Sequence, residues 1–351
     1  MSTDCLKLTS YFGERHRTGH GFTADALLGL YGRHEIEASI LLRGIEGFGL
    51  KHHYRTDVSL TLSEDLPLVA VAVDARPRIE AILADAVRLT GSGLVTLERA
   101  AMLAGEDATA GAGEQSGMTK LTIYPGRTER TYRVPAFIAI CDLLHRRGIA
   151  GATVLLGVDG TAHGDRRRAA FFSRNAGTPM MIISVGSGEQ ISRVLPELGA
   201  LLRRPLLTLE QVTICKRDGQ RLDPPAALPG TGQGGTPLWH KLMVYTSETA
   251  LSGGQPIHRT IMRRLHTAGL SGATTLRGVW GFHGDHAPHG DRLFQLGRRV
   301  PAVTIVIDTP ARIATAFAII DDLTGERGLV TNETIPALRA GPDGAPGQSF
   351  A

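Results

Sequence analysis

Cysteine is scarce in this 351-residue chain: Cys5, Cys141 and Cys215 stand far apart, with no Cys-x-x-Cys spacing. That argues against a disulfide framework and fits a reducing compartment. Cys141 falls among apolar neighbours on an expected helix, where a buried, inert thiol is the ordinary finding. Aromatic residues are also few, at 5%, and none interleaves with basic residues as a platform for single-stranded nucleic acid requires. The formal charge is +4, and its densest run is Arg166-Arg167-Arg168 rather than a stripe. Nucleic acid is therefore not an expected partner. No apolar run reaches the roughly 18 residues of a membrane helix, and the opening residues lack a basic-then-apolar signal pattern. The expectation is a soluble, cytoplasmic protein. A Walker loop, a nucleophile with its base and paired carboxylates in register are missing too, so the chain is not expected to be an enzyme.

Glycine, by contrast, is plentiful, with 43 residues, and the chain repeats itself. Three segments open alike: Lys7-Leu8-Thr9-Ser10-Tyr11, Lys120-Leu121-Thr122-Ile123-Tyr124 and Lys241-Leu242-Met243-Val244-Tyr245. Each Lys is followed 37 residues later by Gly44, Gly157 or Gly278, and three further on by Gly47, Gly160 or Gly281. A proline then opens an apolar run at Pro67, Pro179 and Pro301, and Thr96-Leu97-Glu98 is echoed by Thr208-Leu209-Glu210 and Thr331-Asn332-Glu333. The spacing places repeats at 5–103, 119–218 and 239–338, linkers at 104–118 and 219–238, and a disordered tail at 339–351.

Each repeat reads as β-α-β-β-α-β. Strand-like alternation opens it, and a helix follows with apolar residues one turn apart, Leu27 and Tyr31, Ile140 and Leu144, Ile261 and Leu265. Pro135 and Pro256 suit a first helical turn, and Gly148 and Gly269 a left-handed stop. A second helix carries its apolar face at Ile79, Ile82, Leu83 and Ala86 and their counterparts. Two helices on one face of a four-stranded sheet make a ferredoxin-like α+β domain.

The runs Arg43-Gly44-Ile45-Glu46-Gly47-Phe48, Ser63-Glu64-Asp65-Leu66-Pro67 and Arg277-Gly278-Val279-Trp280-Gly281-Phe282 carry a resemblance. The chain resembles the uncharacterised domain family described as PII-like. The resemblance implies ferredoxin-like domains that trimerise, here fused as a single-chain pseudo-threefold body. PII signalling proteins, more distantly similar, bind adenine nucleotides in clefts between subunits and relay the bound state through a long loop to transporters and enzymes. The expectation is thus a regulator with a small-molecule effector, an adenine nucleotide favoured, and a membrane transporter or enzyme as target. The alternative is a structural or metal-binding module without nucleotide affinity. The second repeat departs from the pattern, with Leu156 for Arg43 and Arg277, Thr161 for Phe48 and Phe282, and Gly186 for Asp74 and Asp308. Its cleft is expected to be altered or lost.

Candidate ligand contacts are Arg43, Gly44, Gly47, Gly157, Gly160, Arg277, Gly278 and Gly281, where glycine admits close approach of backbone. Ser187 and Gly188 join them, because a helix N-terminus there could meet an anion. Asp74 and Asp308 at the matching turns would repel phosphate and read as N-caps. The loop after each glycine pair is some twenty residues long, and its Lys51, Arg55, Arg166, Arg167 and Arg292 are candidates for an effector-reporting loop. His283, His286 and His289 lie close in sequence, but their spacing matches no established metal site, so no metal is assigned. Tyr11, Tyr124 and Tyr245 read as strand packing.

Overall fold

The computed structural model describes residues 3–19, 21–49, 53–57, 65–105, 107–108, 117–162, 165–166, 178–226, 238–283, 288–290, 300–340 and 346–348. The first repeat holds strand β1 (Thr3–Gly13), helix α1 (Thr23–Arg33), β2 (Ala38–Arg43), β3 (Glu46–Phe48), β4 (Pro67–Ala75), α2 (Arg76–Thr90) and β5 (Leu94–Ala104). The second holds β6 (Met118–Ile123), α3 (Ala136–Arg146), β7 (Gly151–Leu156), β8 (Asp159–Ala162), β9 (Met180–Ser187), α4 (Gly188–Leu201) and β10 (Leu206–Arg217). The third holds β11 (Leu238–Ser247), α5 (Ile257–Thr267), β12 (Ala273–Arg277), β13 (Trp280–His283), β14 (Pro301–Asp308), α6 (Pro310–Thr324) and β15 (Leu329–Ala340).

In each repeat four antiparallel strands lie in one order: β2-β4-β1-β5, β7-β9-β6-β10 and β12-β14-β11-β15. This is the ferredoxin-like order, and the chain is three such domains in tandem. Period-two alternation gives every strand two faces. Leu6 and Leu8 of β1 pack with Leu27, Tyr31, Ile79 and Ile82 of the helices in a private core of the first repeat. The second and third repeats have cores of the same kind. The opposite faces are also buried. Cys5, Val71, Tyr124, Ile183, Met243 and Ile305, drawn from all three repeats, join one shared core. That double burial explains why the strand Pro67–Ala75 reads as a nearly continuous apolar run.

Several local expectations need correction. Pro135 and Pro256 stand as N-caps rather than inside the first helical turn. Asp74 and Asp308 are not N-caps, since those positions belong to Ala75 and Thr309. Asp74 instead accepts from Glu37 N and Arg78 Nε, and Asp308 from Ser271 N and Oγ, so each carboxylate fastens the turn after the first helix to the start of the second. Gly148 and Gly269 do take positive φ, 71° and 75°, where a side chain would be strained. The expected disordered tail instead begins as the end of β15, and Pro346–Gln348 pairs back against Leu338–Ala340. In the expected linker 104–118, Ala108 is fully buried against the core of the second repeat.

Candidate functional site

The short strand formed around each glycine pair leaves its own repeat and pairs with another. In seam A, β3 of the first repeat lies on β12 of the third, with Phe48 opposite Ala273 and Gly47 opposite Thr274. In seam B, β13 lies on β7, with Phe282 opposite Ala152 and Gly281 opposite Thr153. In seam C, β8 lies on β2, with Thr161 opposite Ser39 and Gly160 opposite Ile40. Counted from the opening Lys of each repeat, the three registers are identical. The links run first to third, third to second and second to first, so they close a ring. The last strands close it again: β5 pairs with β10, β10 with β15, and β15 with β5.

The glycines belong to this closure. A Cβ on Gly47 would stand 2.7 Å from the Ala273 carbonyl oxygen, and one on Gly44 would stand 2.7 Å from Cγ of Pro67. Gly160 and Gly281 face Ser39 O and Ala152 O in the same way, while Pro179 and Pro301 crowd the second and third glycine pairs as Pro67 does the first. Gly157 and Gly278 likewise donate N–H to the carbonyls of Pro179 and Pro301. The expected close approach is real, but what approaches these six glycines is protein. Ser187 and Gly188 are occupied as well. The Ser187 hydroxyl accepts from Gln190 N in a capping box, and Gly188 N donates to Gly117 O.

At the ring's centre lies a set of charges that local reading of the chain passed over. Lys7 meets Glu98 at 2.9 Å and Glu210 at 2.5 Å; Lys120 meets Glu210 at 2.7 Å and Glu333 at 2.6 Å. Lys241 meets Glu333 at 3.1 Å and Glu98 at 2.8 Å. Each lysine thus holds one glutamate of its own repeat and one of another, in a closed hexad of alternating sign whose side chains are at most 8% exposed. Burial works against the charge on Lys7, but Glu210 and Glu98 outweigh it and hold its pKa well above the ordinary lysine value. Burial likewise opposes ionisation of Glu98, but Lys241, Lys7 and Lys120 hold it well below the ordinary carboxylate range. Carboxylate oxygens of Glu98, Glu210 and Glu333 come within 4.8 Å of one another, yet three ammonium groups already neutralise them. The signal was in the sequence, since each repeat opens on a Lys and carries a Glu 90 to 92 residues later.

Two seams carry open clefts. The one beside seam A has a volume of about 280 Å³, and Tyr11, Phe48, Gly93, Gly272, Thr274 and Arg339 are among its walls. The one beside seam B has about 1210 Å³, walled at the matching places by Tyr245, Phe282, Gly328, Gly151, Thr153 and Arg217. Arg217 ends the last strand of the second repeat, and Arg339 is the penultimate residue of the last strand of the third. Their Nε atoms are buried without a hydrogen-bond partner among the described residues. Arg339 lies over the Trp239 ring, 5.4 Å from its centroid, and burial lowers its pKa. The first repeat ends its last strand in Leu103-Ala104-Gly105, so seam C has no arginine at this place. These two arginines were missed because a lone Arg after a strand has no local signature; only superposing the repeats exposes the pair.

The expected arginines are engaged elsewhere. Arg43 binds Glu14 at 2.8 Å, and Arg277 binds Glu248 at 2.7 Å; neither is among the residues lining the two clefts. In the second repeat both partners change together, to Leu156 and Arg127. Arg55 does line the cleft at seam A, paired with Asp65 at 2.8 Å. His283 and His289 both line the cleft at seam B, where His283 meets Asp218 at 3.0 Å. Lys51, Arg167, Arg292 and His286 lie outside the described residues, and of Arg166 only the backbone is described.

Comparison with known proteins agrees with the threefold reading. The DUF190 family, described as an uncharacterized ACR, matches residues 5–102, 118–214 and 239–337. A UPF0166 protein of Aquifex aeolicus (strain VF5) is 29% identical over 98 residues, which are 28% of this chain but 90% of that protein. One repeat here therefore corresponds to nearly the whole of that relative. With three successive matches that together cover most of its length, the chain belongs to the PII-like DUF190 family and carries three tandem copies of its domain.

Proposed function

We propose that this protein is a PII-like regulator that binds an anionic small molecule, an adenine nucleotide favoured, in the clefts at seams A and B, and passes the bound state to a transporter or enzyme through its long loops. The observation that carries the reading is the pair of arginines, Arg339 and Arg217, at matching places in two matching clefts, each with an Nε buried without a hydrogen-bond partner among the described residues. A buried guanidinium N–H without an acceptor is costly, and a phosphate or carboxylate relieves the cost with charge-assisted hydrogen bonds. The cleft at seam B exceeds roughly 300 Å³, the lower end of small-molecule sites, and the cleft at seam A lies close to it. The expected absence of catalysis agrees with this use. The buried thiols are pushed up in pKa, Cys5 and Cys215 to about 12, as burial dictates, which leaves them poor nucleophiles.

Calorimetric titration of the whole chain with ATP, ADP, AMP and cyclic nucleotides tests this. Two sites per chain are expected, with Arg339→Met and Arg217→Met each removing one and Arg166→Ala removing neither. No heat with any nucleotide would overturn the nucleotide reading, and binding of Zn²⁺ or Cu²⁺ alone would put the metal-binding alternative in its place.

A further inference from the structure

A small hairpin joins the first strand of each repeat to its first helix, with one backbone pattern and three sets of side chains. Arg17–Thr18 pairs with Gly21–Phe22, Arg130–Thr131 with Val134–Pro135, and Leu251–Ser252 with Gln255–Pro256. Two residues close each turn. In the third repeat they are Gly253 and Gly254, with φ of 57° and 77°; in the second they are Tyr132 and Arg133, with φ of 48° and 70°. Both places in such a turn demand the left-handed region, which glycine enters freely and a residue with a side chain does not. Tyr132 is nevertheless 92% exposed, so no packing within the chain repays that strain.

The turn is stiff and surrounded by positive charge. Arg130 donates from Nε and Nη2 to the Arg133 carbonyl, across the turn. Thr131 Oγ1 donates to Leu201 O at 2.8 Å, which fastens the hairpin to the end of α4. Arg203 and Arg204 follow that end, and both are exposed, as are Arg127, Arg130 and Arg133. Arg147, at the far end of α3, pairs with Glu197; among the described residues these five arginines have no such carboxylate. The one acid in the hairpin, Glu129, turns inward to accept from Gly126 N and Arg203 N.

The other two hairpins carry weaker versions of the same character. Six large apolar side chains are exposed among the described residues, and four of them belong to these hairpins: Phe22, Tyr132, Val134 and Leu251. Phe22 lies beneath the Arg17 guanidinium, 4.7 Å from its ring centroid. Each hairpin leaves β1, β6 or β11 in the sheet layer and enters α1, α3 or α5 in the helix layer, so it crosses the end of its repeat. Because the three seams have one register, the repeats are related by a threefold axis, and equivalent hairpins stand at one height along it. Three apolar tips at one height suit a flat partner, whereas a pocket in a protein takes one. We propose that this end of the ring docks on an anionic bilayer. The Tyr132 hairpin makes the main contact, its ring in the headgroup layer where amphipathic aromatics reside and its arginines on the lipid phosphates.

Docking does not depend on the nucleotide reading, so the test uses the full chain without nucleotide. Its co-sedimentation is measured with vesicles of phosphatidylcholine alone and of phosphatidylcholine and phosphatidylglycerol in equal parts. Binding to the mixed vesicles and not to the neutral ones is expected, and it should weaken between about 0.1 M and about 0.5 M salt. Tyr132→Gly with Arg133→Gly gives the second repeat the third repeat's own turn, so the fold is retained while binding falls about tenfold. Arg147→Gln removes the same charge away from the hairpin and should leave binding unchanged. No binding to the mixed vesicles, full binding by the double glycine variant, or an equal loss in Arg147→Gln would overturn the proposal. Release by millimolar inorganic phosphate would overturn it in favour of a free-anion site. A concentration-dependent dimer in size exclusion, lost in the double variant, would put a second copy of the chain on this face instead.

Discussion

At the residue scale the decisive group is the hexad of Lys7, Lys120, Lys241, Glu98, Glu210 and Glu333. Its charges balance, so removing one partner leaves an uncompensated buried charge rather than merely a lost contact. Lys120→Met is expected to destabilise the fold by about 3–5 kcal/mol. Adding Glu210→Gln should recover much of the loss by restoring neutrality, as urea denaturation of the single and double variants would reveal. The surface pair Arg43–Glu14 is a contrast. Its side chains are 41% and 35% exposed, and exchanging both for the second repeat's Leu and Arg should change stability by less than about 1 kcal/mol.

At the element scale, three short strands do the work of assembly. Each covers an edge strand of another repeat and so removes a free edge that would otherwise invite pairing between molecules. Glycine is needed there because the facing carbonyl leaves no room for a Cβ. Gly47→Val should cost about 1–3 kcal/mol by overpacking and loosen seam A, whereas Gly49→Ala, with nothing within 4 Å of its Cβ, should be neutral. Thermal unfolding together with hydrogen exchange at residues 44–48 would separate the two outcomes.

At the scale of the molecule, strand pairing rather than the linkers holds the repeats together. A protease site placed in 227–237 and then cut should leave a particle that elutes at the size of the intact chain, whereas separation into two pieces would show that the linker holds it. Acid should weaken the whole in two stages. His258, lowered to about 4 by burial and its arginine neighbours, withdraws its contribution as pH falls from 6.5 toward 4. Glu98 and Glu333 are held below the ordinary 4.5 by the lysines despite burial, so theirs is present above 4.5 and lost as pH falls through their folded values. His258→Phe should erase the first stage and leave the second, as unfolding midpoints measured across the range would show.

The repeat, the order of elements and the apolar faces were legible in the chain because they rest on local periodicity, and three copies in register multiply a weak signal. The same spacing marked Lys7, Gly47, Pro67 and Glu98 as important without saying for what. Only the tertiary structure decided that the glycines meet protein rather than ligand, that lysine and glutamate close a ring, and that Arg43 and Arg277 are spent on Glu14 and Glu248. Those outcomes depend on which strand edges of different repeats meet, and residues such as Gly47 and Thr274, or Glu46 and His258, become neighbours across more than two hundred residues of chain. No local pattern encodes such a meeting; it follows from three sheets sharing one core.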